Sequence, residues 1–147
     1  MASHKGGCVC GAVRYELGSD PFASGWCHCT TCQRLSGSPG MVFATVPRGA
    51  FNYVEGAERV KPLVLTGFAR REFCEACGSP LTVAYDFQPE TIDLTVCTLD
   101  DPSIAPPENH IFWASKPDWL EIADDLPRHD RFRPNTPGLE GTEPPER

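Results

Sequence analysis

Cys27-His28-Cys29-Thr30-Thr31-Cys32 places three thiols within six positions, at spacings of two and three residues. Three soft ligands on so short a loop fit three corners of a tetrahedron around zinc, and no neighbouring residue fills the fourth. The other cysteines fall as Cys8-Val9-Cys10, Cys74-Glu75-Ala76-Cys77 and Cys97 alone, eight in all. With the triplet and Cys97 set aside, two pairs remain, enough for a four-thiolate site. An even count also suits a disulfide framework, but tight clustering without an apolar signal core favours metal.

Both pairs share a local grammar. Cys8-x-Cys10-Gly11 and Cys74-x-x-Cys77-Gly78 each end in glycine and precede a strand-like run. A glycine there takes a positive φ and wraps the backbone toward the metal, so two such knuckles close a tetrahedral site. Structural zinc of this kind supplies about 10 kcal/mol of apparent free energy and would tie the start of the chain to its middle. A thioredoxin-like reading of Cys74 and Cys77 needs a helix start in a βαβ setting, and none is evident.

Outward from the thiols the chain reads as mainly β. Val13, Tyr15 and Leu17 alternate with polar residues; strands follow over 41–46, 51–54 (at an edge), 63–66, 70–73, 81–85 and 91–99. In the last, Ile92, Leu94 and Val96 share one face, Thr95 and Cys97 the other. Thr30–Ser36 suits a short helix with Cys29 or Thr30 at its cap and Gly37 at its end, which favours the Cys29 thiolate. Prolines at 102, 106, 107 and 117 predict a long ordered loop anchored in the core by residues 110–113, Trp119 and Leu120. One domain is expected over 1–128, with a disordered polar tail over 129–147.

Thirteen basic against twenty acidic side chains give a formal charge of −7, which argues against nucleic acid or an anionic membrane as partner. Without a signal core or a bilayer-length apolar run, the protein is expected to be cytoplasmic.

The two cysteine pairs, Cys27-His28-Cys29-x-x-Cys32-x-Arg34, Leu99-Asp100-Asp101 and Pro107-x-x-His110-Ile111 with Trp119 resemble the glutathione-dependent formaldehyde-activating enzyme family. That domain is shared with centromere protein V, and the likeness runs from about Cys8 to Pro127. The resemblance implies a β-tent of small antiparallel sheets clamped by two zinc ions, with few short helices. It implies that Cys8, Cys10, Cys74 and Cys77 hold a structural zinc, and that Cys27, Cys29 and Cys32 hold a reactive one with an open position. It further implies a carbon-sulfur lyase of the S-(hydroxymethyl)glutathione synthase type, with a small-molecule thiol and an aldehyde as its partners.

Cys97 departs from the family pattern, where a small residue such as glycine is usual. It would either complete the triplet's zinc and close the site, or lie buried as a small hydrophobe. Three thiolates make zinc a weak Lewis acid, so activation of a thiol is expected over strong polarisation of a carbonyl. His28 is a candidate acid, base or ligand, and His110 reads as a hydrogen-bonded core residue. Arg34, Arg70, Arg71 and Lys116 are candidates to hold substrate carboxylates, and Trp26, Phe43 and Trp113 to line a cavity. Two competing functions are a non-catalytic zinc module that binds a protein partner, and a methionine sulfoxide reductase-like enzyme using Cys97.

Overall fold

The structure is a computed structural model that describes residues 3–134. Ten strands form two sheets. β1 (His4–Gly7), β2 (Arg14–Leu17) and β5 (Phe51–Glu55) make a three-stranded antiparallel sheet in the order β1-β2-β5. The other seven are β3 (Phe22–Cys27), β4 (Met41–Pro47), β6 (Val60–Thr66), β7 (Ala69–Cys74), β8 (Pro80–Tyr85), β9 (Thr91–Thr95) and β10 (His110–Ile111). They run β10-β3-β4-β9-β8-β7-β6, with every pairing antiparallel except β10 on β3. The mainly β architecture is as expected, although one sheet is larger than the small sheets anticipated.

Alternation along β4 organises the interior. Val42, Ala44 and Val46 feed one core with Val13, Tyr15, Leu17, Leu81 and Leu94. Met41 and Phe43, on the opposite face of a pleated strand, feed a second core with Cys27, Cys32, Val83 and Phe112. Full burial of side chains such as Leu17 or Leu94 contributes roughly 2–3 kcal/mol each. β6 tolerates Pro62 because it lies at a sheet edge, with a ladder on one side alone.

Three expectations need correction. The strand over 91–99 stops at Thr95, and Val96–Thr98 is a 3-10 turn. Two hydroxyls compete with the ladder there: Thr98 Oγ1 donates to the Thr95 carbonyl (2.7 Å) and Thr95 Oγ1 to that of Pro80 (2.6 Å). Cys97 is consequently exposed rather than buried. Trp119 is no anchor: the Leu120 amide closes a turn on the Pro117 carbonyl (3.0 Å) and leaves the indole 74% exposed. The expected tail at 129–147 begins with ordered contacts. The His129 amide bonds the His110 carbonyl (2.9 Å), the Phe112 amide bonds that of Arg131 (3.0 Å), and Phe132 packs edge-on against Phe112 (4.9 Å). Residues 135–147 of that segment lie outside the described residues.

Gly56 has φ +69°, and a Cβ there would meet the Ala12 carbonyl oxygen at 1.8 Å. Gly56→Ala should therefore destabilise the fold by about 1–3 kcal/mol from backbone strain, and more where the clash is not relieved. Gly49→Ala, which meets nothing within 4 Å, should stay within about 0.5 kcal/mol. Urea unfolding of the two variants checks this, and equal midpoints would contradict it.

Candidate metal centre

Two knuckles bring four sulfurs together. Gly11 (φ +81°) returns its amide to the Cys8 carbonyl (3.1 Å), and Gly78 (φ +78°) returns its own to that of Cys74 (2.8 Å). The donor atoms of Cys8, Cys10, Cys74 and Cys77 all lie within 4.8 Å of one another. The Cys8–Cys10 and Cys10–Cys74 sulfur separations are 3.5 and 3.9 Å. Tetrahedral zinc with bonds of about 2.3 Å requires sulfurs about 3.8 Å apart, so the observed spacing suits such an ion. The Val13 amide donates to Cys8 Sγ (3.2 Å) and holds that sulfur in place. A contact with the Ser79 hydroxyl (3.2 Å) brings the Cys77 thiol down to about 6. All eight cysteines are free thiols.

The triplet gathers differently. Cys27 ends β3, and Cys29 caps α1 (Thr30–Ser36), its sulfur accepting from the Cys32 amide (3.3 Å). Gly37 closes the helix in the left-handed region (φ +66°). The three sulfurs lie within 4.8 Å of one another, and among the described residues no fourth His, Cys, Asp or Glu joins the group. Cys97, a candidate fourth ligand, belongs to neither cluster. Hydrogen bonds from Cys27 and Cys32, aided by the Cys32 amide, pull the Cys29 thiol down to about 3. The shift is opposite for its neighbours: Cys29 and Cys32, together with burial, push Cys27 up. Cys29 is thereby the most acidic sulfur of the group.

One cation of the chain already faces it. Arg71 Nη2 is 3.5 Å from Cys32 Sγ, and its guanidinium lies 5.9 Å from the Phe43 ring centroid. The other candidate cations are elsewhere. Arg34 is exposed, Arg70 pairs with Glu72 (3.6 Å), and Lys116 donates to the Leu120 carbonyl (2.7 Å). A cavity of about 60 Å³ opens beside Cys27 and Cys29, walled by Thr31, Phe68, Arg71, Tyr85 and Phe132. A second, about 80 Å³, adjoins Cys27 and Tyr85 from the side of Thr45, Asp93 and Asn109. A larger cleft of about 550 Å³ lies near Val9, Ser79 and Cys97 and has no clustered cysteine on its walls.

Of the aromatic residues expected at the cavity, Phe43 lines the one on the side of Thr45 and Asp93, not the one walled by Arg71. Trp26 and Trp113 instead pack against His28 and His110, both fully buried. His28 Nε2 meets His110 Nδ1 at 2.9 Å, and His110 Nε2 meets Asp124 Oδ2 at 2.9 Å. The core reading of His110 stands, and no ligand role for His28 follows from its position. Asp100 binds Arg14 through both oxygens (2.9 and 2.5 Å), and Asp101 caps the 3-10 turn Pro102–Ile104. Tyr85, Phe132, Asp93 and Asp124 escaped sequence reasoning, although Tyr85 and Asp93 lie in strands whose alternation signals a shared face.

The family model for the glutathione-dependent formaldehyde-activating enzyme matches residues 3–115, and the chain belongs to that family. A Halomonas elongata protein, provisionally named as such an enzyme, is 32% identical over 125 residues, 80% of each chain. An uncharacterized lyase of Schizosaccharomyces pombe is 32% identical over 85 residues, which span 58% of this chain and 60% of that one. A Rhodobacter sphaeroides crystal structure, a structural genomics target, superposes with a TM-score of 0.56 at 28% identity, covering 65% of this chain and 87% of its own. No helix among the described residues is long and apolar enough to cross a membrane.

Asp93 yields a pH test. Burial raises its carboxyl from 3.8 to about 6, against the Thr45 hydroxyl bond. The folded state therefore holds this proton more tightly than the unfolded one, and stability falls as pH rises from about 4 to 6. Asp93→Asn should stabilise the protein by about 3 kcal/mol at pH 7 and by little at pH 4. Denaturant titrations at the two pH values measure the difference, and an equal gain at both would refute the assignment.

Proposed function

We propose that this protein is a carbon-sulfur lyase that adds a thiol such as glutathione reversibly to formaldehyde or another small aldehyde. Family membership supports a lyase-type role. The observation that carries the finer reading is a three-sulfur cluster without a fourth protein ligand, opening on an aromatic cavity with Arg71 in its wall. Cys8, Cys10, Cys74 and Cys77 would hold a structural zinc, joining the two sheets within one domain. Cys27, Cys29 and Cys32 would hold the second. When bound there, zinc supplies Lewis acidity and lowers the pKa of an incoming thiol.

The chain's own residues supply the rest. The Arg71 guanidinium offsets negative sulfur charge and offers planar donors to a carboxylate on the thiol substrate. Phe68, Tyr85, Phe112 and Phe132 keep the cavity small and dry, which suits a one-carbon aldehyde. In the forward direction the thiol gives up its proton, its sulfur bonds to the carbonyl carbon as the carbon-oxygen π bond opens, and a proton reaches the oxygen to give a thiohemiacetal. The reverse step breaks the carbon-sulfur bond and returns thiol and aldehyde. The free thiols suit a reducing, cytoplasmic setting.

Metal analysis and exchange NMR test this together. Reduced wild-type protein should bind two zinc ions, and Cys29→Ser one, with the fold retained. Exchange between glutathione-formaldehyde adduct and free glutathione should slow by about 100-fold or more in Cys29→Ser. A Cys29→Ser variant as unfolded as Cys77→Ser would overturn the division of roles. A zinc absorption edge showing only four-sulfur shells, unchanged by thiol or aldehyde, would instead favour a structural module.

A further inference from the structure

The residue between the first two sulfurs of the triplet is tied at every polar atom. The His28 amide donates to the Ile111 carbonyl (3.0 Å), and its own carbonyl accepts from Gln33 Nε2 (2.7 Å). Its Nδ1 lies 3.1 Å from the Pro39 carbonyl oxygen, and its Nε2 2.9 Å from His110 Nδ1. His110 Nε2 then reaches Asp124 Oδ2 at 2.9 Å. Trp26 stacks along both imidazoles, with interplanar angles of 7° and 11°. Gly40 leaves them room, since a Cβ there would stand 2.8 Å from His28 Nδ1.

Three contacts need three hydrogens, and neither terminal group brings one, because a carbonyl and an ionised carboxylate only accept. Two neutral imidazoles carry two. The pair must therefore hold a third, which makes one ring an imidazolium. His110 is the ring beside the carboxylate, whereas His28 faces only a carbonyl, so the charge belongs on His110. Arg128 Nη2, 3.3 Å from Asp124 Oδ1, helps keep that carboxylate ionised.

We infer that His110 is a positioning residue, carried as an imidazolium against Asp124. It holds His28 as the neutral Nδ1–H tautomer and thereby fixes the backbone joining Cys27 to Cys29. The consequence for metal retention rests on the triplet's role under the proposed function; the protonation pattern does not.

Nitrogen-15 imidazole spectra of the full-length protein at pH 7 test the pattern. Both nitrogens of His110 should carry hydrogen, whereas His28 should be protonated at Nδ1 and bare at Nε2. In Asp124→Asn the amide can donate to His110 Nε2, so that nitrogen should become bare while the chain persists. Asp124→Ala removes the anchor. Under a chelator, zinc-loaded Asp124→Ala should lose one ion about 10-fold faster and the other at the wild-type rate. A bare nitrogen on His110 in the wild type would overturn the inference even if no variant folded. Unchanged or equally accelerated release of both ions would overturn the positioning role. Neither readout uses turnover, so absence of lyase activity would count against the proposed function alone.

Discussion

The fold depends on a convergence that packing alone would resist. Four sulfurs from knuckles more than sixty residues apart lie within 4.8 Å of one another, and two of them, on Cys8 and Cys74, are buried. As four thiolates they would repel strongly, and as four thiols they would forgo hydration for weak hydrogen bonds. A dication would resolve the conflict, because it would convert mutual repulsion into four attractive bonds. The geometry then spreads outward. The first knuckle leads into β2 of the three-stranded sheet, and the second joins β7 to β8 of the seven-stranded one. Clamping the knuckles would therefore set one sheet against the other across the core of Tyr15, Leu17, Leu81 and Leu94.

The second cluster lies where secondary structure changes type. β3 ends at Cys27, α1 begins after Cys29, and β10 lies parallel to the end of β3. These abrupt boundaries leave backbone groups that regular ladders would have absorbed. They are taken up locally: the Cys32 amide by Cys29 Sγ, and the His28 amide and carbonyl by Ile111 and Gln33. The aromatic side chains that surround the triplet add no ligand to it. A chain of net charge −7 nevertheless turns Arg71 toward these sulfurs, where low polarity strengthens the attraction.

The elements legible in the sequence were those encoded over a few residues. Two glycine-ended thiol pairs, a helix from Cys29 to Gly37 and the alternation of β2 all follow from local chemistry, and the structure has each of them. What remained hidden depends on partners distant in sequence. His28 meets His110 across 82 positions, and Arg71 meets Cys32 across 39. No periodicity signals such pairs. The end of β9 was missed for another reason, because hydrophobic alternation continues through Val96 while Thr95 and Thr98 hydroxyls take over the carbonyls that would have extended the strand. Residues 129–132 read as polar tail because the bonds that hold them are mainly backbone contacts to His110, Phe112 and Trp113, which leave no side-chain pattern.

That early end to β9 bears directly on the triplet. Had the strand continued through Leu99, Cys97 would have shared a face with Thr95, which is buried. The 3-10 turn instead exposes Cys97 beside the cleft of Val9 and Ser79, outside both sulfur clusters. A three-sulfur cluster with no further donor from the described chain must draw a fourth ligand from elsewhere if its metal is to be tetrahedral. Reversible thiol addition needs such a vacancy, because a thiol must enter and leave at each turnover. Two hydroxyl-to-carbonyl bonds thus shape the turn that leaves the eighth thiol outside the cluster on which the proposed chemistry depends.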